Sequence, residues 1–204
     1  MSRADGTGPP QALLTSPYSF GQVLQSRDGR WLLLRRALNE SGSGDIYAVK
    51  SGDTTLVPLL TSPAQETAPA LSPDGRWLAY SSDESGTPEV YVRPFPDVAS
   101  GRWQVSISGG TAPKWARSGR ELFYLNGRQE RVGTAVRPGA AFEVGQPKVL
   151  FPASSYILNP TYAIYDVAPD DRRFVMVRSA AATEETEVIL TQNWFQELRA
   201  RAPR

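Results

Sequence analysis

The sequence predicts an all-β fold, a β-propeller of about four blades with four antiparallel strands in each blade. One observation is a turn-and-strand unit that occurs four times within the 204 residues. Another is a series of short apolar runs, which 17 glycines and 17 prolines interrupt. A β-sandwich also has many short strands, but its strands do not normally repeat one turn sequence at nearly constant spacing.

The repeated unit is clearest as SPDGRWLAY over 72–80. Its other copies read SRDGRWLLL, ARSGRELFY and APDDRRFVM, and successive turns lie 46, 44 and 52 residues apart. Asp or Ser opens each turn with its side chain on the local backbone, Gly supplies a positive φ, and an apolar strand follows. In the fourth copy Asp replaces Gly, and Asp tolerates the left-handed region better than most residues. The turn positions are Asp28, Gly29, Asp74, Gly75, Ser118, Gly119, Asp170 and Asp171.

One further short strand is predicted before each turn, and one or two are predicted after the apolar strand. The predicted propeller covers residues 10–192, and its repeats span about 18–61, 66–108, 111–152 and 160–192. The fourth repeat ends with TEVILTQ and has no last strand, whereas PQALLTS over 10–16 is an extra outer strand. Residues 1–9 are predicted to be disordered, and 193–204 to form a short helix and tail.

Two interpretations of the extra strand remain open. The strand over 10–16 pairs with TEVILTQ and closes a four-bladed ring with strands from both ends of the chain. Alternatively, it ends a preceding blade, so that the chain is part of a longer protein and the blades form an open arc. An open arc leaves two apolar blade faces in water, so a homodimer that completes the ring is expected in that case.

The composition argues against several functions. The sequence has no histidine and no cysteine, which removes the Ser-His-Asp triad, thiol nucleophiles and His- or Cys-ligated metals. The 22 basic and 21 acidic residues nearly balance, so nothing favours binding to nucleic acid or an anionic membrane. No run approaches the ~20 apolar residues of a membrane span. We therefore expect no catalysis, cofactor, metal, nucleic acid or direct membrane insertion.

Three polar loops join the second and third predicted strands of the first three blades, at 38–44, 81–88 and 125–131. We expect these loops to lie together on one face of the propeller. One interpretation is a binding rim for a protein or peptide, and the other is a set of solvated turns. The candidate rim residues are Asn39, Glu40, Asp83, Glu84, Asn126 and Arg128.

Aromatic residues recur in register with the repeat, and interior packing is the expected role for them. A platform for stacking carbohydrate is the alternative. Two tryptophans, Trp103 and Trp115, fall outside the register. The residues in register are Trp31, Trp77, Phe123, Tyr47 and Tyr91.

The stretch LSPDGRWLAYSSDESGTPEVYVRPFP resembles the TolB-like, or WD40-like (PD40), propeller repeat of bacteria. The pattern is S-P-D-G, an apolar strand, a Ser/Gly-rich loop, and an acidic residue before an IYV-type strand, as in DIYAV over 45–49 and EVYV over 89–92. True WD40 repeats carry Gly-His dipeptides, which this chain lacks. The ending ILTQNWFQELRARAP is similar to the carboxyl end of bacterial serine/threonine-kinase-associated propeller proteins. None of the kinase motifs is present.

The resemblance implies a non-catalytic module that binds proteins or peptides, as the sensor or scaffold part of a larger bacterial protein. The alternative is the gating propeller of a prolyl-oligopeptidase-like serine peptidase without its hydrolase domain. The amino end has no apolar signal segment. The chain as written is therefore expected in the cytoplasm, and a longer parent would also allow a periplasmic or other extracytoplasmic location.

Overall fold

The computed structural model describes residues 12–37, 44–137 and 142–178. Fourteen strands and no helix lie in this part of the chain. The first sheet consists of β1 Phe20–Gln25, β2 Trp31–Arg36, β3 Ile46–Lys50 and β4 Val57–Leu60. The second consists of β5 Glu66–Leu71, β6 Trp77–Ser82, β7 Glu89–Pro94 and β8 Trp103–Gln104. The third consists of β9 Gly110–Trp115, β10 Glu121–Asn126, β11 Glu130–Arg137 and β12 Glu143–Pro152. The fourth contains β13 Tyr165–Val167 and β14 Phe174–Met176.

Each sheet is an antiparallel meander whose strands pair in chain order. Equivalent copies of the repeat lie in different sheets, since β2 belongs to the first blade and β6 to the second. This arrangement confirms the predicted all-β propeller. The fourth sheet has two strands within the described residues, and the predicted third strand TEVILTQ lies outside them. The predicted limits of the repeats stay predictions.

Neighbouring blades pack face to face through buried apolar side chains. Leu33 and Ile46 of the first blade pack with Leu78 and Tyr91 of the second. A further core joins the second and third blades, and a smaller one joins the third blade to β13 and β14. Stacking of like sheets is what a propeller requires, because each blade buries its faces only against its neighbours.

The aromatic residues in register with the repeat lie in the blades, as predicted. Trp77, Phe123 and Tyr91 are buried, while Trp31 and Tyr47 are partly buried. The two tryptophans outside the register also belong to the core between the second and third blades. Trp103 packs edge-on against Trp77, with ring centroids 5.6 Å apart, and Trp115 is buried in the same cluster. Apart from Tyr47, which stacks on Tyr18, these aromatic residues belong to the cores between blades.

The predicted outer strand over 10–16 stays a prediction, because its predicted partner TEVILTQ lies outside the described residues. Residues 12–16 form no strand with the described part of the chain. Ser16 Oγ accepts the N–H of Tyr18 at 3.0 Å, so the chain turns immediately before β1. Pro17, within this turn, has no N–H to give to a ladder. The predicted partner strand, the carboxyl-terminal helix and residues 1–9 all lie outside the described residues.

Candidate functional site: the axial cleft

Two of the four repeat turns share one hydrogen-bond arrangement. Ser26 Oγ donates to Asp28 Oδ1 at 2.6 Å and accepts the N–H of Trp31 at 2.9 Å. Asp28 also accepts the N–H of Arg30 at 3.0 Å, and the second turn repeats these contacts from Ser72. The Ser26 hydroxyl, and then the bonds from Arg30, lower the pKa of Asp28 to about 2. The turn carboxylate therefore serves the local backbone.

The third turn lacks this arrangement, and the fourth blade compensates for the loss. Ala116 replaces the serine, and the hydrogen bond from the N–H of Arg120 to Ser118 Oγ is long, at 3.4 Å. Asp171 reaches across from the fourth turn and accepts the N–H groups of Arg117 at 2.5 Å and Ser118 at 2.9 Å. Asp171 has a φ of 57°, and the three turn glycines have φ near 70°, as predicted. The repeat turns thus contact one another across blades.

The first strands of the sheets enclose a cleft of about 920 Å³, called the axial cleft below. Its lining comes from parts of four segments, 22–27, 68–73, 113–118 and 163–171. Apolar side chains such as Leu24 and Leu71 form much of the wall, together with several prolines and alanines. Each blade contributes residues, so the cleft exists only where the blades meet.

The inner strands beside the axial cleft are irregular. Ala68 has a φ of 49° and Ala112 a φ of 51°, and the ladder register shifts beside each of them. The N–H of Ala68 donates to the carbonyl of Thr161 at 2.9 Å. The segment that leads into the fourth blade is thereby tied to the second blade. Ala163 of that segment lines the cleft.

Charged side chains concentrate on one wall of the axial cleft. Asp166 accepts Lys114 Nζ and Arg117 Nη2, each at 3.1 Å. Burial acts to raise the pKa of Asp166, but the hydrogen bond and charge of Lys114, with Arg117, lower it overall. Across the cleft, Arg27 is exposed and forms no ion pair within the described part of the chain. Asp171 is the one carboxylate among the described lining residues.

A buried carboxyl lies at the opposite end of the strands. Glu66 is 3% exposed and accepts Ser62 Oγ, while its Oε2 has no hydrogen-bond partner within the described residues. Its N–H donates to the Gly44 carbonyl at 2.9 Å, which joins the first two blades. Burial, opposed by the Ser62 bond and reinforced by Asp45 and Glu84, raises the pKa of Glu66 to about 7. The group is protonated in mildly acidic solution.

The candidate rim residues lie at this same end, away from the axial cleft. Asp83 accepts the N–H of Gln65 at 2.8 Å, and Glu84 pairs with Arg102 at 2.5 Å. Asn126 Oδ1 accepts the N–H groups of Arg128 and Glu130 within its own turn. Asn39 and Glu40 lie outside the described residues. None of the described rim residues lines the cleft, and their role in binding stays a prediction.

Sequence reasoning did not find the axial cleft. Its lining residues occupy equivalent places in the repeat, and the second residue of each turn is Arg27, Pro73, Arg117 or Pro169. The four copies of the repeat show this alternation of arginine and proline at one position. It predicts a shared site only when the structure shows that the four positions line one cleft.

The chain is similar in sequence to Protein TolB homolog of Chlorobium chlorochromatii (strain CaD3), with 31% identity over 145 residues. The matched region covers 68% of this chain and 29% of that relative, so the chain spans less than a third of its length. No protein-family model matches the chain.

Among solved structures, the fold resembles Kuenenia stuttgartiensis hydrazine synthase, with a TM-score of 0.53 and 13% identity. That match covers 82% of this chain and 61% of the other, and it concerns the fold alone. TolB from Acinetobacter baumannii matches with a TM-score of 0.47 and 16% identity, over 81% of this chain and 44% of that one. In the described residues, no helix is long and apolar enough to cross a bilayer. The sequence similarity and the stacked blades together support a TolB-like β-propeller.

Proposed function

We propose that the chain is a non-catalytic propeller module that binds a protein or peptide, and that the partner inserts into the axial cleft. The observation that supports this proposal is the cleft itself, of about 920 Å³ and bounded by all four described blades. Ligand sites are typically concave, largely apolar and few per protein, with a small number of polar groups. The axial cleft has this character, whereas the rim loops hold their polar groups in local hydrogen bonds.

A peptide suits the lining of the cleft better than a compact small molecule does. Prolines and small residues of successive inner strands form much of the lining, and the charged side chains are few and lie mainly on one wall. No group of three or more metal-binding side chains occurs in the described residues. An extended segment can contact several blades at once, which is how repeated scaffolds use a concave surface.

We further propose that the module is the sensor or scaffold part of a larger bacterial protein. The similarity to a TolB homologue supports a TolB-like parent, and the carboxyl-terminal sequence is the support for a kinase-associated one. A longer TolB-like parent would place the module outside the cytoplasm, which is the location we propose.

A random linear peptide library displayed on phage tests the binding site. The native chain is immobilised, and enriched peptides are synthesised and titrated by fluorescence anisotropy. Gln25→Trp places bulk on an exposed wall position of the cleft. Arg128→Trp places the same bulk at the exposed rim and is the matched control. We expect saturable binding that Gln25→Trp abolishes and Arg128→Trp preserves.

Two results would contradict the proposal. Loss of binding in Arg128→Trp alone would place the site on the rim predicted from sequence. A library that yields no saturable ligand for the native chain, whose fold is verified by circular dichroism, would remove peptide binding as the function.

A further inference from the structure

We infer that the mouth of the axial cleft selects a partner segment that carries acidic side chains. This inference rests on the proposed function and names the chemistry of its ligand. It depends on a ring of four residues from the four repeat turns, called the mouth ring below. The mouth ring consists of Arg27, Pro73, Arg117 and Pro169.

The repeat places all four members of the mouth ring in the same backbone environment. Each is the second residue of its turn, between the end of the first strand and the turn residue Asp or Ser. All four line the cleft, and three of them are exposed while Pro73 is partly so. Arginine and proline alternate around the ring, so the two guanidinium groups belong to the first and third blades.

The carboxylates of the repeat turns do not pair with Arg27. Asp28 and Asp74 are held by Arg30 and Arg76 of their own turns, at 2.5 and 2.8 Å, and neither lines the cleft. Asp171 lines the cleft, but its oxygens accept backbone N–H groups of the third turn.

The second guanidinium of the mouth ring is already engaged, because Arg117 donates to the Val167 carbonyl and to Asp166. Lys114 shares the Asp166 carboxylate with it, so these two cations have one carboxylate between them. Arg27 forms no ion pair among the described residues, as stated above. The described cleft therefore has an excess of positive charge, which favours an anionic partner and disfavours a cationic one.

The neutral members of the mouth ring indicate what surrounds the anionic group. Pro73 and Pro169 contribute rigid apolar surface to the same lining as the two arginines. Leu71, two residues before Pro73 in the sequence, adds a further apolar side chain. Arg pairs well with carboxylates because its planar fork donates two parallel hydrogen bonds. A Glu or Asp flanked by apolar or proline residues matches this lining. We assign this ligand class to the cleft.

The same phage library tests the inference by the composition of the enriched pool. We expect the native chain to enrich Glu and Asp over their frequency in the unselected library. Arg27→Gln should lower the affinity for the enriched peptides roughly threefold to fivefold, as for loss of one exposed charge contact, and the loss should shrink as salt is raised. Because Arg27 has no ion-pair partner in the described chain, this variant keeps the turn intact.

A gain-of-charge variant separates a change of selectivity from damage to the fold. Pro73→Arg recreates in the second turn the S-R-D-G sequence that the first turn already has. It should tighten the binding of acidic peptides by a similar factor, while Thr87→Arg, which adds the same charge at an exposed loop position outside the cleft, should leave their affinity unchanged. An enriched pool without acidic residues, or equal affinities for Glu peptides and their Gln counterparts, would overturn the inference and leave the proposed function standing. Failure to enrich any peptide would instead overturn the proposed function.

Discussion

Replacement of Glu66 by Gln should remove a pH dependence from the stability of the protein. The carboxyl is 3% exposed at the junction of the first two blades, and its Oε2 has no partner in the described residues. Burial, against the Ser62 hydrogen bond and with Asp45 and Glu84 nearby, raises its pKa from 4.5 to about 7. The folded protein therefore holds a proton that the unfolded chain releases between these two pH values.

The sign of the effect follows from proton linkage. A raised pKa in the folded state gives a stabilising contribution that is complete below pH 4.5 and is lost as the pH rises through about 7. One pKa unit corresponds to about 1.4 kcal/mol, so ionisation of Glu66 lowers the free energy of unfolding by about 3 kcal/mol between these limits. Glu66→Gln keeps an acceptor for the Ser62 hydroxyl and carries no charge. We compare the free energy of unfolding of Glu66→Gln with that of the native chain at each pH. Between pH 4.5 and pH 8 this difference should shift by about 3 kcal/mol in favour of the variant.

Urea denaturation followed by tryptophan fluorescence measures this difference across the pH range. Contributions from other titrating groups cancel when the variant is compared with the native chain at each pH. Glu143→Gln, at an exposed carboxylate, is the matched control and should change little with pH. Parallel pH profiles for the native chain and Glu66→Gln would refute the assignment of a raised pKa to this buried group.

Three further predictions concern the repeat turns and the loops between blades. Ser72→Ala removes both the acceptor for the Trp77 N–H and the donor to the turn carboxylate, so urea denaturation should show a loss of about 1–2 kcal/mol. Asp171→Gly keeps the positive φ but loses two hydrogen bonds to the third turn, so amide hydrogen exchange in that turn should become faster. Asp171→Ala loses the same bonds and is also strained at this φ, so its melting temperature should be lower than that of Asp171→Gly. Gly109→Ala places a Cβ 2.9 Å from the Gly127 nitrogen at a φ of 86°, so its melting temperature should fall, and an unchanged value would contradict the contact.

The sequence predicted the strands well, because turn residues and apolar runs are local signals. SPDG and the equivalent turn sequences of the other repeats predict where each second strand begins. Each of the described strands lies where a short strand was predicted. The strand at 10–16 stays a prediction, because an isolated apolar run does not reveal its ladder partner and the predicted partner lies outside the described residues. The axial cleft could not be predicted from loop length or polarity, since four segments distant in sequence form it.

In the first two turns, the carboxylate that holds the turn is distinct from the residue that lines the cleft. Asp28 and Asp74 are bound within their own turns and do not line the cleft. The position between them and the inner strand changes between Arg and Pro, and it lines the cleft in every described blade. This position therefore presents a variable side chain to the cleft in each described blade. We expect substitution at Arg27 or Pro73 to change the lining of the cleft without removing the hydrogen bonds that hold the first and second turns.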